Sequence, residues 1–96
     1  MENLQVNNLE FRIRKMNALE ILAFQTQISF DSYEDALKFY SLALENIELK
    51  VKDKWIIVKQ GDLYYPTDLE NNMPLMKTLI KYFMDYIKEV FQKSNG

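Results

Sequence analysis

The chain contains neither histidine nor cysteine. The lack of cysteine removes disulfides, thiolate nucleophiles and cysteine-ligated zinc from consideration. The lack of histidine removes the commonest general base, the commonest metal ligand and every nucleophile–histidine pair. Catalysis would have to rest on carboxylates, lysine or tyrosine alone, so the composition argues against an enzyme. Glycine and proline are scarce, two of each in 96 residues. Linkers and low-complexity segments need more of both, so residues 1–96 read as a single domain. A domain of this length buries roughly 60–70% of its unfolded surface, which is enough for one modest core.

Charge of one sign is also missing. Twelve basic residues are interspersed with fourteen acidic ones, for a net charge of −2. Nucleic-acid binding needs a basic stripe. The nearest approach, Arg12, Arg14 and Lys15, reads instead as the polar side of a strand. No run approaches the ~18 consecutive apolar residues of a membrane span, and the start does not resemble a signal peptide. The expectation is a soluble, cytoplasmic protein with no membrane association.

The patterns that are present predict an α+β fold, with a small antiparallel meander and three main helices, the last of them long. Residues 1–8 are polar enough to serve as a loose lead-in. Leu9, Phe11 and Ile13 alternate with Glu10, Arg12 and Arg14, the period of a half-buried strand. Asn17 followed by Glu20 forms a capping-box signal for a helix over about 17–27, with Leu19, Leu22, Ala23 and Thr26 on its inner face. Asp31 or Ser32 caps the next helix, with Glu34 or Asp35 as the matching acid. Its core stripe is expected at Tyr33, Ala36, Leu37, Tyr40, Leu44 and Ile47, leaving Phe39 and Leu42 off centre. "IELKVK" and "WIIVKQ" then read as strands joined at Asp53-Lys54, and Gly61-Asp62 turns the chain into a short "LYY" that Pro66 stops. Thr67 and Glu70 suggest another cap, and Pro74 is placed at the first position of the last helix. That helix carries Met76, Leu79, Ile80, Phe83, Ile87, Val90 and Phe91 on an apolar arc that Tyr82, Met84 and Tyr86 widen. An arc so wide implies burial against more than one surface, within the domain or against another chain.

The acids Asp62, Asp68 and Glu70 gather around Pro66, but turn and cap chemistry accounts for them. No spaced run of Asp and Asn around a glycine suggests calcium, and no residue pattern calls for a cofactor. Trp55, Tyr64 and Tyr65 with Lys50, Lys52, Lys54 and Lys59 are a set that could stack bases, yet Glu48, Asp53 and Asp62 dilute that field and cross-strand packing explains the rings. The last helix is too sparsely basic to lie on a membrane surface. Partner binding through protein contact is the function these residues favour. The expected contact residues are Phe39, Trp55, Tyr64, Tyr65, Tyr82, Met84 and Tyr86.

Several segments occur together in a characteristic order: "RKMNALEILAFQTQISFDSYEDALKFYSLALENIELKV", "KDKWIIVK", "YYP" and "VFQKS", spanning Arg14 to Ser94. In this order they resemble the tail assembly chaperones of long-tailed phages and prophages. The chain departs from that pattern at Asn17, where the family places a proline, and at Pro74. The resemblance implies a non-catalytic, homo-oligomeric chaperone that binds the long, helical, aggregation-prone tape measure protein before the tail tube assembles around it. It also implies that a frameshifted longer form recruits tail tube subunits, and an ending in "KSNG" fits the shorter form. The competing expectation is a small phage or prophage adaptor or regulatory domain that binds a host protein or nucleic acid.

Overall fold

Three two-residue turns, each with one left-handed residue, set the course of the β structure: Asn7 (φ 54°), Lys52 (φ 57°) and Gly61 (φ 58°). The computed structural model describes residues 2–27 and 31–94. Among these residues, strands β1 (Leu4–Val6), β2 (Leu9–Ile13), β3 (Ile47–Val51) and β4 (Lys54–Ile57) form one antiparallel sheet in the order β1-β2-β3-β4. Helices α1 (Ala18–Gln27) and α2 (Tyr33–Leu44) lie between β2 and β3 in the chain, and α3 (Met73–Ser94) follows a 3₁₀ turn at Leu69–Asn71. The fold is therefore α+β, with a long C-terminal helix.

The lead-in is more ordered than its polarity suggests. Val6 pairs with Leu9 and Leu4 with Phe11, so Asn7-Asn8 is a hairpin turn and β1 forms the sheet's edge. Asn tolerates the left-handed conformation that such a turn needs. "WIIVKQ" is likewise not one strand. Val58, fully buried, donates its N–H to Ile47 O (2.9 Å) while its carbonyl accepts from Tyr65 N–H (2.9 Å). The chain bends there into a second hairpin, β5 (Lys59–Gln60) with β6 (Leu63–Tyr64).

Lys52 has neither the short polar side chain of Asn nor the freedom of Gly, so its left-handed backbone is strained. Replacing Lys52 with Asn should raise stability by about 0.5–1 kcal/mol. A shift of the urea midpoint at unchanged slope would report it.

The helix caps are partly as the sequence suggests. Asn17 and Glu20 form the capping box, with Glu20 N–H donating to Asn17 Oδ1 (2.9 Å) and Asn17 N–H to Glu20 Oε1 (3.3 Å). Ser32 caps α2 by accepting from Asp35 N–H (3.1 Å). Thr67 and Glu70 cap no helix; the 3₁₀ turn begins instead with Leu69 N–H donating to Pro66 O (2.9 Å). Pro74 is the second residue of α3, because Asn72 is the cap and accepts from Leu75 N–H (3.2 Å). Pro is tolerated there for the same reason as at the first position: the first-turn N–H groups have no intrahelical acceptor.

The core is built around three phenylalanines, one from each helix. Phe24 and Phe83 ring centroids lie 4.9 Å apart, Phe39 and Phe83 6.2 Å, and Phe24 and Phe39 6.3 Å, all edge-on. Phe11, Ile47, Leu49, Leu69, Leu79 and Ile87 complete the cluster.

This packing overturns two expected faces. In α1, Leu19 (77% exposed), Leu22 and Ala23 face outward, while Phe24 is buried and Ile21 half-buried. The side chain of Thr26 lies outside the described residues. In α2, Leu44 and Ile47 are buried as expected, but Tyr33 (78% exposed), Leu37 and Tyr40 are not, and Phe39 is 1% exposed. Both helices carry two apolar stripes. The largest purely hydrocarbon ring on each turns inward, which buries most apolar area without desolvating a tyrosine hydroxyl.

Candidate functional site

Helix α3 is divided lengthwise into strips. At 100° per residue, the buried Leu75, Leu79 and Phe83 lie on one side of α3, while Met73, Met76, Ile80 and Met84 span about 80° of arc beside them, with the buried Ile87 among them. This second strip, with Tyr40 from α2, lines a groove of about 620 Å³. An adjoining cavity of about 490 Å³ shares Tyr40, Met73 and Met76 and continues past Leu37, Ser41 and Leu44 to Tyr64 and Glu70. From Met73 to Lys88 the α3 wall runs roughly 22 Å, about four helical turns. Three of the chain's five methionines line this groove. Met73 is 63% exposed, and the outward Tyr33 and Leu37 extend the apolar surface along α2.

The polar lip is asymmetric. Lys77, Lys81 and Lys88 fall within about 40° of arc immediately beside the apolar strip. Lys81 Nζ is 2.7 Å from Asp85 Oδ2 in an i,i+4 pair. Among the described residues, Lys77 and Lys88 have no ion-pair partner. The α2 side of the groove contributes Tyr40, Leu37 and Ser41, all uncharged.

The expected contact residues are scattered over three places. Met84 and Tyr64 line the groove. Phe39 and Tyr82 do not reach a surface: Phe39 is at the centre of the aromatic triad, and Tyr82 is buried with its hydroxyl donating to Glu2 O (3.0 Å). Burial raises the Tyr82 hydroxyl above the usual tyrosine range. Tyr65 and Tyr86 are half-buried and pack on the core. Trp55 pairs with Lys50 in the β3–β4 register, on the sheet face opposite Leu49 and Ile56. The Arg12 guanidinium sits 4.1 Å from the centre of the Trp55 ring, and Glu48 holds Arg12 Nε at 2.8 Å. One ring face is thus occupied by the chain's own cation, which leaves less of it for base stacking.

Sequence reasoning missed Leu37, Tyr40, Met73, Met76 and Ile80 as site residues, having assigned most of them to the core. The usable signal was an apolar arc on α3 wider than one packing surface needs.

A smaller cavity of about 350 Å³ lies at the β2–α1 corner, lined by Arg14, Glu20, Phe24, Leu42, Glu45 and Asn46. Arg14 Nη2 contacts Glu20 Oε2 and donates to Asn46 Oδ1 (2.6 Å), and Arg14 Nε donates to the same oxygen (2.9 Å). Arg14 first, and then the Asn17 backbone, hold the Glu20 carboxyl below the ordinary value of 4.5. Every polar group here is answered from within the chain, so the corner reads as a structural clamp. Among the described residues no three acids converge as metal ligands would, and no helix is long and apolar enough to cross a membrane.

Comparison of the chain with protein-family models, with curated proteins and with solved structures gives no match. The function is therefore argued from the groove. An open, methionine-lined trough with a basic lip is suited to holding the apolar face of a helix.

Proposed function

We propose that this chain is a non-catalytic tail assembly chaperone of a long-tailed phage or prophage, working in the cytoplasm of the bacterial host. It binds tape measure protein by accepting amphipathic helical segments in the α2–α3 groove and keeps that protein soluble until the tail tube assembles. The observation that carries the proposal is the methionine-lined groove between α2 and α3. Methionine adapts its shape to varied apolar partners, as a holdase for many segments of one long chain requires. A homo-oligomer would present several such grooves at once. Modest affinity at each would then give high avidity without preventing release.

The test is co-expression with the tape measure protein of the same genome. The wild-type chain should raise the soluble fraction of the tape measure protein and co-purify with it. Met73→Glu alters an exposed groove residue and should weaken capture about tenfold, as loss of an interface anchor does. Leu63→Glu, equally exposed but away from the groove, should leave capture intact. If the tape measure protein stays insoluble with the wild-type chain, the chaperone reading fails and the adaptor reading replaces it. If Met73→Glu captures as well as wild type, the groove is not the binding site.

A further inference from the structure

We infer that the α2–α3 groove selects amphipathic helices whose flank along α3 is acidic. The inference rests on the groove being the partner site proposed above, and it names the chemistry of the partner.

The basis is where α3 puts its charges. Taking the centre of the apolar strip as reference, Lys77, Lys81 and Lys88 occupy the sector next to the groove. Asp85 also lines the groove but is taken up by Lys81, and Glu89 lies about 80° further round than Lys81. A merely solvated face would intersperse the two signs, as the chain does elsewhere. Here the lysines are collected at the apolar edge over about three turns, in a chain whose overall charge is −2. Asp85 is engaged by Lys81, so among the described residues two cationic heads, Lys77 and Lys88, stand without an ion-pair partner at the two ends of this lip. Lysine stems can lie along a bound apolar face while their ammonium groups reach carboxylates beside it.

Among the described residues, the lip from α2 is uncharged, and the only acid lining either cavity besides Asp85 is Glu70, at the Tyr64 end. An occupant with Glu or Asp on one flank, at spacings near four and eleven residues, would meet Lys77, Lys81 and Lys88 in turn. An occupant with lysine on that flank would meet like charge at each position.

The test uses the full chain and two synthetic helical peptides of about 18 residues. They share one leucine stripe and differ only in carrying Glu or Lys along the flank. Binding is followed by fluorescence anisotropy at about 50 mM and about 500 mM salt, where the screening length falls severalfold. The Glu peptide should bind about tenfold tighter at low salt, and the gap should shrink to about twofold at high salt. The double variant Lys77→Glu/Lys88→Glu alters only exposed side chains and should reverse the preference while leaving the circular dichroism spectrum unchanged. Equal binding of the two peptides, no binding of either, or an unchanged preference in the double variant would each overturn the inference.

These outcomes are separable from the chaperone reading. Charge-selective peptide binding with no rescue of tape measure protein would keep this inference and reject that function. Rescue that is sensitive to Met73→Glu, with no charge preference, would do the reverse.

Discussion

Phe83→Ala is expected to cost about 3–5 kcal/mol, the range for emptying a phenylalanine site in a closed core. Phe83 has no solvent exposure, and its ring meets Phe24 at 4.9 Å and Phe39 at 6.2 Å. It is therefore the side chain through which α3 holds both α1 and α2. Truncation removes the transfer energy of the ring and leaves a cavity lined by two other rings, each losing an edge-on contact. Both are anchored on helices and can collapse only partly into the space. A domain of this length has a total stability of about 5–14 kcal/mol. The variant should thus be marginal or unfolded at room temperature, measured by urea denaturation followed by far-UV circular dichroism. Phe91→Ala, on the same helix but only half-buried, should cost clearly less. A loss below about 1.5 kcal/mol at Phe83 would mean that the three rings do not pack as one unit.

The second large effect is expected at Asn46, the one polar residue buried among those described. Its Oδ1 accepts from Arg14 Nε and Nη2, and its Nδ2 donates to Leu42 O at 2.7 Å. Its backbone carbonyl also accepts Arg14 N–H at 2.8 Å, which ties the end of β2 to the α2–β3 corner. Asn46→Ala keeps the backbone bond but leaves the Leu42 carbonyl without the amide and Arg14 without its acceptor. The expected loss is about 2 kcal/mol, mostly the penalty for the stranded carbonyl, since Arg14 still reaches solvent. Asn46→Asp separates the two contributions: it keeps the acceptor for Arg14 but sets a carboxylate oxygen against the Leu42 carbonyl.

The same corner should respond to acid. The Glu20 carboxyl is held below its ordinary value in the folded state, so its contribution is present above pH 4.5 and is lost as pH falls through the lowered value. Arg14→Ala should weaken that acid dependence, leaving the part that the Asn17 backbone supplies. If the acid limb of stability is the same in Arg14→Ala as in wild type, the Arg14–Glu20 pair is not formed in solution.

The elements that were legible in the sequence are those whose signal is local. The capping box at Asn17–Glu20, the Ser32 cap, the alternation of Leu9, Phe11 and Ile13, and the turn at Gly61 all depend on residues within four positions of each other. Their physics is complete before the chain folds. β1 was not legible because its three residues acquire strand character only by pairing with β2, and its turn relies on Asn7 taking a left-handed conformation. The bend at Val58 was hidden for a related reason. A β-branched residue in an apolar run looks the same whether its hydrogen bonds go to one partner strand or, as here, to Ile47 on one side and Tyr65 on the other.

What the sequence by itself determined is the class of the protein: α+β, without histidine or cysteine, and with the starts of α1 and α2 marked by their caps. What only the tertiary structure decided is which apolar stripe of each helix is core. α2 offers Phe39 with Ala43 on one side and Tyr33 with Leu37 and Tyr40 on the other, and hydrophobic periodicity fits both. The choice was made by the other two helices, because Phe39 can close a three-ring cluster with Phe24 and Phe83 and the tyrosines can keep their hydroxyls in water. The stripe that lost this competition, together with Met73, Met76, Ile80 and Met84, became the groove. Core and groove draw on the same residue types. Only the packing of distant segments assigns each residue to one or the other.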